Sequence, residues 1–178
     1  MNLSMYNKGD VAEIEQLFIK VFSDSEGSVE GLLIGELVHD LLKTTDTQNI
    51  YGFVATENNL ILGSIIFTKL TFESGINAFI LSPVAILTNQ QGKGIGQKLI
   101  KHGIQHLAKQ GVKLVFTYGD PNYYSKVGFR AITEEIVKAP LKLSQPEGWL
   151  CQSLVGDVIK PITGNSYCVE ALNRPEYW

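Results

Sequence analysis

The feature that most constrains this chain is a change of pattern between residues 79 and 107. Phe79 to Leu87 is an apolar run interrupted only by Ser82 and Pro83, and it reads as a buried strand. Thr88, Asn89 and the alternate glycines Gly92, Gly94 and Gly96 then read as a loop. Gly96, Leu99, Ile100, Gly103, Ile104 and Leu107 follow at i, i+3, i+4, i+7, i+8 and i+11, which is one face of an α-helix. A strand, a glycine loop and a helix N-terminus in that order favour an anion. The first N–H groups of a helix have no intrahelical partner, and the helix dipole places partial positive charge there. Glycines lack a Cβ and let a phosphate approach the backbone. Lys93 adds a full charge. A plain turn into a helix accounts for one of these glycines at most.

Spacing decides which phosphate binder this is. A P-loop requires G-x-x-x-x-G-K-[S/T], which Gly92-Lys93-Gly94-Ile95-Gly96-Gln97 does not supply. A dinucleotide fingerprint starting at Gly92 needs a glycine where Gln97 stands. The stretch resembles instead the acetyl-CoA signature of the GNAT N-acetyltransferase superfamily, Q/R-x-x-G-x-G/A, met here by Gln91, Gly94 and Gly96. A second stretch, Gly119-Asp120-Pro121-Asn122-Tyr123-Tyr124-Ser125-Lys126-Val127-Gly128-Phe129, predicts a short helix from Pro121 to Val127. Asp120 serves as its N-cap, proline stands at the first helical position, and Gly128 ends it. It resembles the superfamily's other motif, in which a tyrosine precedes Gly-Phe by four residues, and Tyr124 has that place. Together the motifs are similar to those of a subgroup of uncharacterised predicted bacterial acetyltransferases. One position departs: many members carry Asn seven residues before the tyrosine, and here it is Thr117.

The resemblance implies an α/β GNAT fold: a mixed, mostly antiparallel central sheet, a splayed parallel strand pair that admits the cofactor's pantetheine arm, and flanking helices. It implies a single domain over 1–178, in which 133–178 is a C-terminal extension completing the sheet. The implied activity is acetyl-CoA-dependent transfer of an acetyl group to a primary amine of a small molecule or peptide, by direct attack on the thioester. A non-catalytic acyl-CoA sensor of the same fold is the alternative, and retention of Tyr124 favours the catalyst. Backbone N–H groups near Ala85, Ile86 and Leu87 would face the thioester and pantetheine. Gln91, Gly92, Lys93, Gly94, Ile95, Gly96 and Gln97 would hold the pyrophosphate, and the Thr117 hydroxyl would stand in for the missing Asn. Tyr124, protonated at neutral pH, would be the general acid toward the departing sulfur. Its neighbour Tyr123, about 100° away on a helix, is the natural control.

The remaining pattern is ordinary for a globule. Residues 1–8 predict an edge strand. Val11, Ile14, Leu17, Phe18 and Val21 predict a helix capped by Asp10, and Leu32 to Leu42 a second helix, with Asp24–Gly31 a polar connection between them. Tyr51–Ala55 and Leu60–Phe67 read as strands joined through Glu57-Asn58-Asn59, and Val112–Tyr118 as a strand returning parallel after the central helix. In the tail, Trp149–Leu154 and Tyr167–Leu172 read as strands. A net charge of −3 without a basic stripe argues against nucleic acid as a partner. No stretch is long and apolar enough for a bilayer, and the N-terminus has no signal-peptide pattern, so a cytoplasmic protein with reduced Cys151 and Cys168 is expected. His102 and His106 are four apart with no third ligand nearby, so no metal is expected. Glu26, Glu73 and Asp120 are candidate bases without a spacing argument among them, and a homodimer is left open.

Overall fold

A computed structural model describes residues 1–178. In chain order the elements are β1 (Asn2–Met5), α1 (Val11–Glu26), α2 (Ser28–Thr44), β2 (Ile50–Glu57), β3 (Leu60–Phe72), β4 (Ala78–Ile86), α3 (Ile95–Lys109), β5 (Leu114–Tyr118), α4 (Pro121–Tyr124), β6 (Arg130–Ala131), β7 (Trp149–Ser153) and β8 (Ser166–Tyr167). The sheet is mixed: β4 and β5 pair in parallel, whereas β1–β2, β3–β8, β5–β7 and β6–β7 are antiparallel. This is the mixed, mostly antiparallel α/β arrangement that the resemblance implies. The chain forms two compact units, one of residues 1–67 and 83–103, the other of residues 68–82 and 104–178.

The first unit holds the strand order β1-β2-β3-β4, together with α1, α2 and the first turns of α3. Ahead of α1, the Asn7 side chain accepts the Gly9 N–H at 2.8 Å, and the Asn7 N–H donates to Asp10 Oδ2 at 2.8 Å. Asp10 therefore does not cap α1 with its own side chain. It closes a reciprocal box one turn earlier. The expected polar connection at Asp24–Gly31 is also different, for it is helical except at Gly27, whose φ is 99°. Packing explains this. Gly31 and Gly35 carry no side chain where Ser23 and Ile19 of α1 press against α2, so tight helix contact outweighs the polar local sequence. The β2–β3 hairpin turns through Asn58 and Asn59, with φ of 50° and 62°, a left-handed pair that asparagine tolerates. Phe18, Phe53, Ile65 and Phe67 form the core with Leu99 and Ile100 of α3. The face of α3 anticipated from the 3.6-residue period is buried at every position from Gly96 to Leu107.

In the second unit the first residues of β4 pair with β5, in register from Ala78↔Leu114 to Leu81↔Thr117. β5 pairs on its other edge with β7, and β7 with β6. Phe116 and Trp149 stack at 5.1 Å, and the Trp149 indole donates to the Val137 carbonyl at 2.8 Å. The tail departs from expectation at one place. Only Ser166–Tyr167 extends as a strand, paired with Phe72 and Thr71 of β3, while Glu170–Leu172 is a 3-10 turn. That turn buries Leu172, whose carbonyl accepts the Trp178 indole N–H at 3.0 Å. Burial pushes the Cys151 thiol up to about 12 and the Cys168 thiol up to about 11.

Candidate active site

In the first unit, the end of β4 carries the backbone amides expected to be open. Its ladder to β5 ends at Leu81↔Thr117, and the strand continues to Ile86 without a β5 partner. Of the three backbone amides expected to be open here, Leu87 is not available: its N–H donates to the Leu62 carbonyl of β3 at 2.9 Å. Neighbouring peptides of an extended strand point to opposite edges, so the Ile86 N–H is directed away from β3. The Ile86 carbonyl is taken by Gln91, whose Nε2 donates to it at 3.0 Å. Gln91 thus fastens the loop to the end of β4. Ala85 and Ile86 are buried.

The loop runs from a 3-10 turn at Thr88–Gln90 into α3 at Ile95. Gly92 and Gly94 have φ of 75° and 77°, and a Cβ built at either would meet nothing within 4 Å. Both glycines therefore do two things a larger residue would not: they turn left-handed and they leave open space beside their peptides. The Ile95, Gly96 and Gln97 amides belong to the first turn of α3, where intrahelical partners are missing; the first helical bond runs from the Lys98 N–H to the Gly94 carbonyl at 3.1 Å. Lys93 is exposed and its Nζ donates to Gln90 Oε1 at 2.9 Å. Backbone donors at a helix N-terminus, beside the open space at Gly92 and Gly94, suit a pyrophosphate.

Sequence reasoning missed one support of this loop. The Thr88 hydroxyl donates to Asp24 Oδ2 at 2.6 Å, and Lys20 donates to the same oxygen at 3.0 Å. These bonds hold the Asp24 carboxyl below its ordinary range, Thr88 contributing most. Thr88 and Asp24 are 64 positions apart, and no local pattern links them.

In the second unit, the candidate tyrosine lies on α4. Asp120 caps it as expected, accepting the Asn122 N–H at 2.9 Å, and Gly128 ends the following 3-10 turn in a left-handed conformation. The Tyr124 ring lies edge-on to Phe129 at 5.7 Å and to Tyr123 at 5.1 Å. Part of the ring meets solvent, but the hydroxyl is enclosed. Burial pushes the phenol from 10.0 up to about 12, against a smaller opposing influence of the Thr117 hydroxyl beside it. Thr117 is fully buried, and its hydroxyl hydrogen goes to the Leu81 carbonyl at 2.9 Å. The threonine therefore ties the last β4–β5 pair together. Of the candidate bases, Asp120 is occupied as a cap, while Glu26 and Glu73 are exposed.

Two comparisons bear on this constellation. The GNAT acetyltransferase domain matches residues 48–131, which include the glycine loop and α4. An Escherichia coli K12 protein, the uncharacterized N-acetyltransferase YjhQ, is 28% identical over 170 residues, spanning 92% of this chain and 90% of that one. Both similarities are to GNAT acetyltransferases. Solved structures agree on the fold of this acetyltransferase. A GNAT family N-acetyltransferase from Escherichia coli (YhbS), in complex with CoA, superposes with a TM-score of 0.81 at 23% identity, covering 97% of this chain and 92% of that chain. A GNAT family acetyltransferase from Brucella melitensis, in complex with acetyl-CoA, gives 0.75 at 25% identity, covering 96% and 97%. No helix of the acetyltransferase is long and apolar enough to cross a membrane.

Proposed function

We propose that this acetyltransferase takes its acetyl group from acetyl-CoA and passes it to a primary amine of a small molecule or peptide by direct attack on the thioester. The observation that carries the reading is the loop from Gln91 to Gln97: left-handed glycines open at their Cβ positions, at the head of α3. The acetyl-CoA and CoA of the Brucella and Escherichia coli relatives support the same choice of co-substrate. Loop amides receive the pyrophosphate, and the Ile86 N–H polarises the acetyl carbonyl. As the amine nitrogen bonds to the carbonyl carbon, the carbon–sulfur bond breaks and its electron pair goes to sulfur. Tyr124 gives its phenolic proton to that sulfur, and the proton lost from the amine returns through solvent to the tyrosinate. A phenol pushed up to about 12 by burial is protonated at neutral pH before the reaction. We further infer that residues 1–178 act as one domain, with 133–178 its C-terminal extension; β3, β4 and α3 each contribute residues to both compact units, which supports this.

The test has two stages. Acetyl-CoA at a hundredfold excess over its Kd should stabilise the protein by about 2.7 kcal/mol, since it binds only the folded state, whereas NAD and ATP should not. A panel of amines is then screened for CoA release. Stabilisation by NAD in place of acetyl-CoA overturns the reading, and tight CoA binding without turnover on any amine converts the enzyme into a sensor.

A further inference from the structure

We propose that Gly119 is a positioning residue for Tyr124: the missing side chain at 119 is the seat on which the catalytic ring rests. The proposal builds on the role of Tyr124 given above. A Cβ built on Gly119 would stand 2.8 Å from Tyr124 Cε2, closer than carbon atoms approach, and 3.5 Å from Cδ2, in van der Waals contact. Gly119 is not in the left-handed region, so its backbone would accept alanine without strain; what excludes a side chain is the ring.

The ring cannot simply step aside. Phe129 and Tyr123 both meet it edge-on, and its backbone is fixed at both ends. The Tyr124 N–H donates to the Asp120 carbonyl at 3.1 Å, and the Tyr124 carbonyl accepts the Phe129 N–H at 3.2 Å. Gly119 is equally fixed, its N–H donating to the Gly148 carbonyl at 3.0 Å. Backbone crowds this spot from the far side too, because a Cβ on Gly148 would lie 3.0 Å from the Gly119 oxygen. A methyl group at 119 therefore has to be accommodated by rotating or sliding the phenol. That displacement carries the hydroxyl away from the Thr117 side chain and from the sulfur it serves. A shift of about 1 Å in a reacting group costs on the order of 100-fold in rate.

The decisive experiment is a pair of double-mutant cycles in the full chain. In the first, thermal midpoints are compared for wild type, Gly119→Ala, Tyr124→Ala and the double variant. If the ring occupies the seat, Gly119→Ala lowers the midpoint in wild type and leaves it unchanged once Tyr124→Ala has removed the ring. In the second, kcat and KM are measured on an amine acceptor for Gly119→Ala alone and combined with Tyr124→Phe. Gly119→Ala should lower kcat by about 10- to 100-fold, with the KM for acetyl-CoA unchanged, and should cost nothing further in the Tyr124→Phe background. Losses that multiply in that background, an unchanged kcat for Gly119→Ala, or an equal loss of thermal midpoint with and without the ring would each overturn the proposal. If Tyr124→Phe is itself silent, the acid role of Tyr124 falls, and the thermal cycle still decides whether Gly119 seats the ring. Should Gly119→Ala not accumulate as folded protein, Gly119→Ala with Tyr124→Ala replaces it: recovery of folded protein supports the seat, and failure to recover it overturns the seat.

Discussion

The glycine loop and the tyrosine helix solve opposite problems. The loop works by what it lacks. Gly92 and Gly94 turn left-handed beside open space, and the groups bordering that space are peptide amides whose position the strand and helix dictate. Its side chains are turned to holding the loop itself: Gln91 on the Ile86 carbonyl, Lys93 on Gln90, Thr88 on Asp24. The helix works by enclosure. One hydroxyl is surrounded, desolvated and kept protonated, with Phe129 and Tyr123 fixing the ring. A binding element made of backbone tolerates change in its side chains and none in its empty volume. A chemical element made of one side chain tolerates the reverse.

That contrast predicts how damage divides between kcat and cofactor affinity. The largest effect should come from Tyr124→Phe, which removes a proton donated mainly in the transition state: kcat falls by about 10²–10⁴-fold while CoA affinity stays constant, read by steady-state kinetics and calorimetry. Equal rates for the two enzymes would leave water as the acid. Next is Gly94→Val, which fills the open space and strains a left-handed position. CoA should bind about 10–100-fold more weakly, the equivalent of one or two charge-assisted hydrogen bonds, with kcat at saturation nearly unchanged; unaltered affinity would reduce the loop to a turn. A smaller effect concerns alkaline stability. The folded Tyr124 phenol titrates near 12, above the unfolded 10.0, so its contribution is intact below pH 10 and is lost as the pH climbs toward 12. Denaturation curves of Tyr124→Phe should therefore fall less steeply across that window than those of wild type. The smallest effect is expected of Lys93→Ala. An exposed lysine already bonded to Gln90 contributes little to an anion in salt, and CoA affinity should drop by no more than about fivefold.

Legibility in the sequence followed the range of the interactions involved. The β4–loop–α3 junction and the α4 cap were readable because each is encoded in one continuous stretch, residues 79–107 and 119–129: apolar period, alternate glycines, Asp-Pro, Gly-Phe. α1 starts at Val11 as expected, but the Asp10 side chain does not cap it, since Asn7 and Asp10 share a reciprocal box one turn earlier in which either residue looks like the cap. Gly31 concealed the start of α2, because a glycine that permits two helices to touch looks, in one dimension, like a glycine that ends a helix. The engaged Leu87 amide and the bond from Thr88 to Asp24 depend on partners 25 and more positions away. The availability of a single N–H is decided by strand register, which side-chain periodicity does not report.

The two cysteines have a practical bearing on measuring the reaction. The chain contains only Cys151 and Cys168, and burial pushes both thiols up, to about 12 and about 11. Reaction with a disulfide dye proceeds through the thiolate, so at neutral pH neither side chain is a competent nucleophile. The thiol liberated from acetyl-CoA, free in solution with a pKa of about 8.5, is competent. The protein is therefore nearly silent toward the reagent that reports its own product, and slow turnover on an unfamiliar amine can be followed continuously above a low background.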